Sequence, residues 1–426
     1  MAKPLRELYD DLQLADAPGR TRARSAGHDD PFISKLLHLV LSHGVQVKAS
    51  DIHLEPTAAG ARIRYRIDGI LHEMLQLSTE TSEPLTRAIK VKANLTNDTI
   101  GRSKPQDSRI DLELPGHHVD LRLSTFPTLF GDVLAVRILV RSAPLLDLEQ
   151  VGFPPSMLEE FERLIRRPNG LLLVTGPSGS GKTTTLYAGL NTLRAPHIKI
   201  VTLEDPVEYQ VDGIDQGQIN PAVGLTFASG LRAILRQDAN VILVGEIRDK
   251  ETAEIAIRAA LTGHLVFSTM HTRHSVGAAS RLIDMGIEPH LILASLNGVM
   301  AQRLVRLVCQ TCREPDAPAG KPFAALWQRE TGAAPPESHL RQLVKGRGCA
   351  ECNGTGYRGR TAIFELLILD EELKRLILES ATAELYRKAV ASGRFRTMLC
   401  RGLEKASAGL TTLEEVLRVT GESQEF

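Results

Sequence analysis

The chain has 426 residues, enough for about three domains of ~150 residues each, and its 51 basic side chains balance 51 acidic ones, so the formal net charge is zero. That balance, with only 4% aromatic residues, argues against a general electrostatic nucleic-acid binder, and we expect no direct contact with nucleic acid. Apolar residues make up 42% of the chain, which excludes wholesale disorder. No apolar run approaches the ~20 residues that cross a bilayer, and the first residues are charged where a secretory signal would be apolar. We therefore expect a protein that is neither exported nor membrane-spanning.

Residues 29–141 are predicted to form a small α+β domain, preceded at 1–28 by a flexible Arg-rich arm that includes a short helix. Apolar residues recur at helical spacing from Phe32 to Gly44, which predicts one amphipathic helix. Alternating stretches predict strands, and Asp68-Gly69 is typical of a hairpin turn. The predicted strands are Asp51–Glu55, Ala61–Ile67, Ser108–Leu114, His118–Ser124 and Val133–Leu139.

The proline-bearing stretch 142–155 is interpreted as a linker. Beyond it, apolar strands alternate with helical segments, the pattern of βαβ units around a parallel sheet, so residues 156–305 are predicted to be an α/β core. Residues 306–360 carry two cysteine pairs, and 361–426 are predicted to be helical. The fold class is therefore α/β, with a smaller N-terminal α+β domain.

A complete GxxxxGK[ST] motif, GPSGSGKT, lies between an apolar run and a helical segment. Its glycines allow main-chain N–H groups to turn inwards onto phosphate oxygens. Lys182 can reach the terminal phosphates and the Thr183 hydroxyl can ligate Mg²⁺. The motif predicts a nucleoside triphosphate site. The residues expected to bind the nucleotide are Gly176, Pro177, Ser178, Gly179, Ser180, Gly181, Lys182, Thr183 and Thr184.

Polar side chains follow the other predicted core strands. Glu246 comes after the apolar run at 241–244 and is the expected Mg²⁺ partner, whereas Glu204 follows another strand and is the expected base for the attacking water. His264 and His271 flank a fourth strand, and we expect them to sense the γ-phosphate, although structural histidines remain an alternative.

Two CxxC pairs, Cys309 with Cys312 and Cys349 with Cys352, are separated by 36 residues. Four thiolates so placed can surround Zn²⁺ tetrahedrally, and a closed four-sulfur shell indicates a structural ion rather than a catalytic one. Four reduced thiols are the alternative. Cys400 is expected to be a small buried hydrophobe.

In this order, GPSGSGKTTTLY, TLEDPVEY, LRAILRQDANVILVGEIRD and TGHLVFSTMHT resemble the secretion ATPases of the type II secretion and type IV pilus superfamily. SDIHLEP, RYRIDG, PQDSRIDL and VDLRLST resemble that family's second N-terminal domain, and AQRLVRLVCQTC, CNGTGYRGRTAIFELL and TTLEEVLRVT its C-terminal portion. The stretch SVGAASRLIDMGIEPHLI is more similar to the general secretion pathway E proteins than to pilus extension motors.

This resemblance implies a RecA-like ATPase that uses ATP and Mg²⁺ and forms a homohexamer on the cytoplasmic face of the inner membrane, against inner-membrane platform proteins. It implies that Arg122, Arg137, Arg232 and Arg236 act across subunit boundaries. The four-residue spacing of Arg232 and Arg236 predicts that these two share one helix face. Such ATPases usually carry a longer first N-terminal domain that docks on the machine, where about 28 residues stand here.

Three other functions remain open from the sequence. The same chemistry serves type IV pilus assembly or competence. A DNA-handling P-loop motor or a zinc nucleic-acid-binding module is an alternative from another class, which the zero net charge disfavours. A scaffold that does not hydrolyse ATP is disfavoured by intact Lys182, Thr183 and Glu246.

Overall fold

A computed structural model describes residues 3–16, 30–95, 104–114, 116–140, 147–378, 382–392 and 395–421. They form two compact units, Met1–Ala143 and Pro144–Phe426. Half of the predicted flexible arm, residues 1–2 and 17–28, lies outside this part of the chain, but its short helix is present. Among the described helices, none combines the length and apolar character that crossing a bilayer requires.

The first unit is a six-stranded antiparallel sheet with three helices, and its strand order is β3-β2-β1-β6-β5-β4. All five predicted strands and the predicted helix are confirmed, each longer than expected. Strand β3 and helix α3 are additional. The elements are α1 (Leu5–Asp16), α2 (Pro31–Gln46), β1 (Asp51–Thr57), β2 (Gly60–Ile67), β3 (Ile70–Ser78), α3 (Thr79–Lys92), β4 (Gln106–Leu114), β5 (His117–Thr128) and β6 (Gly131–Val140).

Helix α2 shows why this unit folds as its sequence predicts. The Asp30 side chain accepts a hydrogen bond from the Phe32 N–H at 2.8 Å, and Pro31 occupies the first helical position. The apolar stripe then lies buried against the sheet, where the Tyr65 hydroxyl donates to the Val40 carbonyl at 2.7 Å. Capping, proline placement and periodicity thus agree on one helix.

The second unit is built on a seven-stranded sheet in the order β15-β12-β7-β11-β10-β8-β9. Its main elements, in chain order, are α4 (Leu148–Val151), α5 (Pro155–Ile165), β7 (Gly170–Thr175), α6 (Lys182–Leu193), β8 (Ile200–Glu204), β9 (Asp215–Gln218), α7 (Phe227–Ile234), β10 (Val241–Val244), α8 (Lys250–Leu261), β11 (Leu265–Met270), α9 (Val276–Asp284), α10 (Pro289–Ser295) and β12 (Leu296–Val308). The chain continues with β13 (Arg313–Pro315), α11 (Gly320–Thr331), α12 (Glu337–Arg341), β14 (Val344–Gly346), β15 (Tyr357–Ile368), α13 (Glu371–Leu378), α14 (Thr382–Ala391), α15 (Met398–Ser407) and α16 (Leu413–Thr420).

The strands of the predicted core form a parallel sheet, as expected, and one antiparallel strand from beyond that core extends it. Strands β12, β7, β11, β10, β8 and β9 are parallel to their neighbours, but β15 pairs antiparallel with β12 along most of its length. The predicted boundaries at 305/306 and 360/361 therefore cut through β12 and β15. The cysteine-bearing segment is an insertion between two paired strands of one sheet.

The predicted linker at 142–155 is only in part a connection. From Leu148 onwards it packs in the second unit, where Leu148, Val151 and Phe153 are buried. The Phe153 ring stacks on Phe364 with 4.1 Å between ring centroids. Residues 141–146 lie outside the described part of the chain.

Candidate nucleotide site

The glycine-rich motif forms a tight turn between β7 and α6. Gly176 has φ +150° and Gly181 has φ +86°, both in the region that favours glycine. A Cβ on Gly176 would lie 2.5 Å from the Gln302 carbonyl oxygen, and one on Gly181 would lie 2.8 Å from the Gln302 side-chain nitrogen. Any side chain at either position would therefore displace β12 or the turn.

Lys182 begins α6, and its side chain folds back over the turn. Its Nζ donates to the carbonyl oxygens of Gly176 at 2.8 Å and Pro177 at 3.0 Å. Burial lowers the pKa of this ammonium group to about 8, the Glu246 carboxylate opposes that shift, and Arg303 adds to it. The amine is held where it can contact an anion bound in the turn.

Two buried hydroxyl groups border the same turn. Thr175 Oγ1 and Ser180 Oγ find no hydrogen-bond partner among the described residues. Together with the glycine cradle, these polar atoms fit a ligand rich in oxygen atoms, such as a polyphosphate. Thr183, in the first turn of α6, extends the same row of predicted ligands.

Glu246 lies just beyond the carboxyl end of β10 and is the centre of a charged cluster. Arg248 forms an ion pair with one of its carboxylate oxygens, and the His271 Nε2 lies 3.6 Å from the other. Arg248 also reaches Asp205, with 3.7 Å between Nη1 and Oδ2. These polar contacts connect the residues that follow β8, β10 and β11. Arg248 belongs to this cluster and was not predicted from the sequence.

Glu204 ends β8 and is buried. Tyr187, from α6, donates to its Oε2, while Thr202 donates to Oε1 at 2.6 Å and Gln216 donates to Oε1 at 3.4 Å. Burial raises the pKa of the Glu204 carboxyl group, and these three donors act in the opposite direction. The acid predicted on strand-end position alone is thus held by donors from α6, β8 and β9.

The two predicted histidines lie at opposite ends of β11. His271 follows the carboxyl end, beside Glu246. His264 precedes the amino end, where its ring Nδ1 is 3.1 Å from the Ala259 carbonyl oxygen and its own carbonyl accepts from the Gly170 N–H. All strands flanking β11 are parallel to it, so His264 belongs to the edge of the sheet away from the turn. The structure does not bring His264 to the site.

The four predicted arginines fall on two surfaces. Arg232 forms a 2.6 Å ion pair with Glu251, and Arg236 donates to the Arg232 carbonyl at 2.9 Å. Both are exposed, but α7 ends at Ile234, so they share a turn rather than the one helix face expected from their spacing. In the first unit, Arg122 and Arg137 are direct cross-strand neighbours on β5 and β6.

Arg122 and Arg137 border an open cleft of about 640 Å³ on the face of the first unit's sheet. Arg109 of β4 lines the same cleft, opposite Arg122. Asp51 accepts a hydrogen bond from Arg137 Nε at 3.1 Å, which fixes that guanidinium group on the sheet. The cleft is thus lined by three arginines and by two carboxylates, those of Asp51 and Asp107.

The four cysteine sulfurs of the predicted metal site lie within 4.8 Å of one another. The distances are 3.8 Å from Cys309 to Cys349, 3.8 Å from Cys312 to Cys352, and 3.7 Å from Cys349 to Cys352. A tetrahedral ion ~2.3 Å from each sulfur would place the sulfurs ~3.8 Å apart. The cluster can therefore hold a metal ion. Cys400 lies elsewhere and is buried, as expected.

The sequence and the fold of this chain are similar to those of known proteins. A family model described as "Type II/IV secretion system protein" matches residues 26–418. The chain belongs to this family. The chain is 47% identical to the "Type II secretion system ATPase E" of Vibrio cholerae, over 97% of this chain and 80% of the relative. It is 46% identical to the "Type II secretion system protein E" of Pseudomonas aeruginosa, over 99% of this chain and 82% of the relative.

Among solved structures, the chain is similar to the pilus retraction motor PilT with bound ADP. The TM-score is 0.60 at 26% identity, and the match covers 91% of this chain and 97% of that one. The resemblance drawn from the motifs, and with it membership of a family of secretion ATPases, is confirmed.

In this secretion-family chain, β12 supplies site residues that the sequence did not reveal. Gln302 is buried and accepts a hydrogen bond from the Thr185 hydroxyl at 2.8 Å, which joins β12 to α6. Arg303 donates to the Arg273 carbonyl at 3.1 Å, in the loop after His271. The only sequence signal was an Arg and a Gln inside an apolar strand, which is unusual for a buried one.

Glu365 of β15 binds the loop between β11 and α9, which carries His271 and Arg273. Its fully buried carboxylate accepts from the Ser275 N–H at 2.9 Å and the Ser275 hydroxyl at 2.5 Å, and from the Met398 N–H at 3.3 Å. The sequence signal for this role was an acidic residue within the apolar run FELL, because a carboxylate on a buried strand requires hydrogen-bond donors. The loop that carries His271 is thereby joined to the C-terminal helices.

Proposed function

We propose that this chain is the ATPase motor of a type II protein secretion machine, in which ATP hydrolysis powers assembly of a pseudopilus. The observation that carries the proposal is the position of the Lys182 amine, which lies over the phosphate turn and within electrostatic reach of Glu246. A cation over a glycine-rich turn, with a carboxylate at the carboxyl end of another parallel strand of the same sheet, is the arrangement that phosphoryl transfer requires.

In this proposal the glycine cradle binds the triphosphate of ATP, with contacts from Gly176 to Thr184. Thr183 and Glu246 hold Mg²⁺, directly or through water. The ion, when bound, neutralises charge on the phosphate oxygens. The hydroxyl groups of Thr175 and Ser180 border the cradle and are suited to complete the polar shell.

Glu204 is proposed as the general base that orients and deprotonates the attacking water. Burial raises the pKa of its carboxyl group towards the range in which a base is most effective near neutral pH. His271 is proposed to hold Glu246 and to respond to the terminal phosphate. His264 is assigned a packing role, because it lies at the other end of β11.

The proposed assembly is a homohexamer of RecA-like cores on the cytoplasmic face of the inner membrane, driving inner-membrane platform proteins. Arg122 and Arg137 of one copy, with Arg232 and Arg236, are proposed to complete a neighbour's site. The exposure of Arg137, Arg232 and Arg236 supports this role, since a guanidinium group lent across a boundary must be accessible, whereas Arg122 is half-buried. Hydrolysis then depends on assembly of the ring.

The cysteine cluster is proposed to bind structural Zn²⁺. Sulfur spacings of 3.7 and 3.8 Å suit its tetrahedral shell, and the Cys349 and Gly356 N–H groups donate to the Cys352 sulfur at 3.2 Å. Such donors stabilise a thiolate. The four-sulfur shell leaves no position for a substrate, so the ion stabilises the insertion between β12 and β15.

The decisive experiment measures Mg²⁺-dependent ATP hydrolysis by the oligomerised chain. Lys182→Ala should abolish it, whereas Lys199→Ala, a change at an exposed lysine of the same unit, should not. The native mass with a non-hydrolysable ATP analogue should correspond to six chains. Full activity of Lys182→Ala, or of a strictly monomeric chain, would refute the proposal.

Type IV pilus assembly or competence is the second candidate, favoured by 43% identity, over 91% of this chain and 68% of the relative, to the "Type IV pilus assembly ATPase PilB" of Myxococcus xanthus. Pull-downs of the tagged chain with platform proteins of a secretion machine and of a pilus machine distinguish the two. Selective retention of the pilus platform would replace the first assignment while leaving the ATPase chemistry unchanged.

A further inference from the structure

Two hydroxyl groups hold the buried Glu204 carboxylate, one on each oxygen. The Tyr187 hydroxyl donates to Oε2, and the Thr202 hydroxyl donates to Oε1 at 2.6 Å. Glu204 is only 4% exposed, so these hydroxyl groups rather than bulk solvent satisfy its two oxygens. Such a carboxylate has its orientation and its charge determined by the protein.

Tyr187 also connects this carboxylate to the phosphate turn. It lies four residues after Thr183 on α6, so both side chains lie on one face of that helix. Its ring packs edge-on against Tyr209 with 4.7 Å between centroids, and the Gln216 side chain donates to its hydroxyl oxygen at 3.2 Å. The hydroxyl group therefore has a fixed position relative to the helix that begins with Lys182.

We propose that Tyr187 and Thr202 are positioning residues for ATP hydrolysis: their hydroxyl groups bind the Glu204 carboxylate and stabilise its ionised form. This inference rests on the proposed role of Glu204 as the base. A base must be ionised when it meets its water, and burial alone favours the neutral acid. The two donors counteract burial without adding a cation that would weaken the base.

Titratable side chains face Glu204 from α6 and from the segment after β8. Tyr187 faces it from α6, and Glu208 and Tyr209 face it from the segment after β8. The Glu208 carboxylate raises the pKa of Glu204 further, whereas the hydrogen bonds from Tyr187 and Thr202 lower it. Gly245 of the neighbouring chain segment approaches the Glu204 backbone and contributes no charge.

Removing either donor has a predictable sign. Without its hydrogen bond, the ionised carboxylate is less stable, so its pKa rises and the acid limb of the kcat–pH profile moves to higher pH. At pH values below the acid limb, the kcat of Tyr187→Phe and of Thr202→Val should each be ~3- to 10-fold lower than the wild-type kcat at the same pH. Well above the limb, their rates should approach the wild-type rate, with KM for ATP unchanged.

The experiment is the kcat–pH profile of the oligomerised full chain between pH 5 and 9, for the wild type and both variants. Tyr209→Phe is the matched control, because it removes a hydroxyl from the adjacent ring and none of the donors to Glu204; its profile should superimpose on the wild type. Thermal unfolding checks the fold of each variant, and each variant tests the proposal by itself.

A loss of rate by the same factor at every pH, or a profile that superimposes on the wild type, would overturn the inference. Two further variants separate its failure from that of the proposed function. An active Lys182→Ala removes the ATPase assignment, and an active Glu204→Gln with the wild-type pH profile removes the base. If both are inactive and the Tyr187 and Thr202 profiles do not move, only the positioning inference fails.

Discussion

The buried Lys182 ammonium group should make nucleotide affinity depend on pH above neutrality. Burial lowers its pKa to about 8, because the surrounding turn replaces water that would solvate the charge. A phosphate group attracts the protonated amine only. At pH 9 about one chain in ten carries that proton before binding, so affinity should fall about tenfold for each pH unit above 8.

Calorimetry of Mg²⁺–ADP binding at pH 7, 8 and 9 measures this directly, since phosphate groups are fully ionised in that range. Repeating each titration in buffers of different ionisation enthalpy counts the protons taken up. We expect about 0.1 proton per site at pH 7, about 0.5 at pH 8 and about 0.9 at pH 9.

Lys182→Arg is the matched control, because a guanidinium group stays charged throughout this range. Its affinity can be lower at every pH, but the dependence between pH 8 and 9 should disappear, and so should the proton uptake. An affinity of the wild type that stays constant from pH 7 to 9, with no protons taken up, would refute the account of Lys182.

Three further outcomes follow from contacts elsewhere in the second unit. Cys349→Ser should release bound zinc and lower the melting temperature, while Cys400→Ala, at a buried thiol outside the cluster, should retain about one zinc per chain by elemental analysis. Glu365→Ala should lower the free energy of unfolding in urea by about 3 kcal/mol, because it leaves the buried Ser275 N–H and hydroxyl without their acceptor. Arg232→Ala should reduce ATP turnover by the oligomer by up to ~10³-fold while the nucleotide affinity of the dilute chain is unchanged, which kinetics and calorimetry together distinguish.

The parts of the site that could be predicted from sequence are those set by local chain geometry. The turn at 176–183 requires glycines at fixed spacing between a strand and a helix, and all three conditions are readable in one window of residues. Glu246 and Glu204 could be predicted to follow neighbouring strands because the carboxyl ends of parallel strands meet at one edge of a sheet. The same rule applied to His264 fails, since that residue lies on the amino side of its strand.

The parts that escaped prediction depend on contacts between distant segments. Pairing of β12 with β15 joins residues about 60 positions apart, and no local pattern specifies that partner. Helix α11 forms in a Pro/Ala/Gly-rich stretch because Phe323 and Leu326 find a buried cluster formed by α15 and α16. The four-residue spacing of Arg232 and Arg236 predicted a shared helix face, but α7 ends at Ile234, and Arg236 lies in the turn that follows.

These distant contacts explain why the phosphate turn and the cysteine cluster belong to one mechanical unit. Gln302 lies against Gly176 and accepts a hydrogen bond from α6, so β12 supports the turn from its outer side. β12 is in turn held by β15, and the cysteine-bearing insertion connects the end of one to the start of the other. A metal that fixes the insertion restrains both strands where they diverge. Since Glu365 of β15 also binds the loop that follows His271, loosening the cluster should reach the nucleotide site through β12 and through that loop.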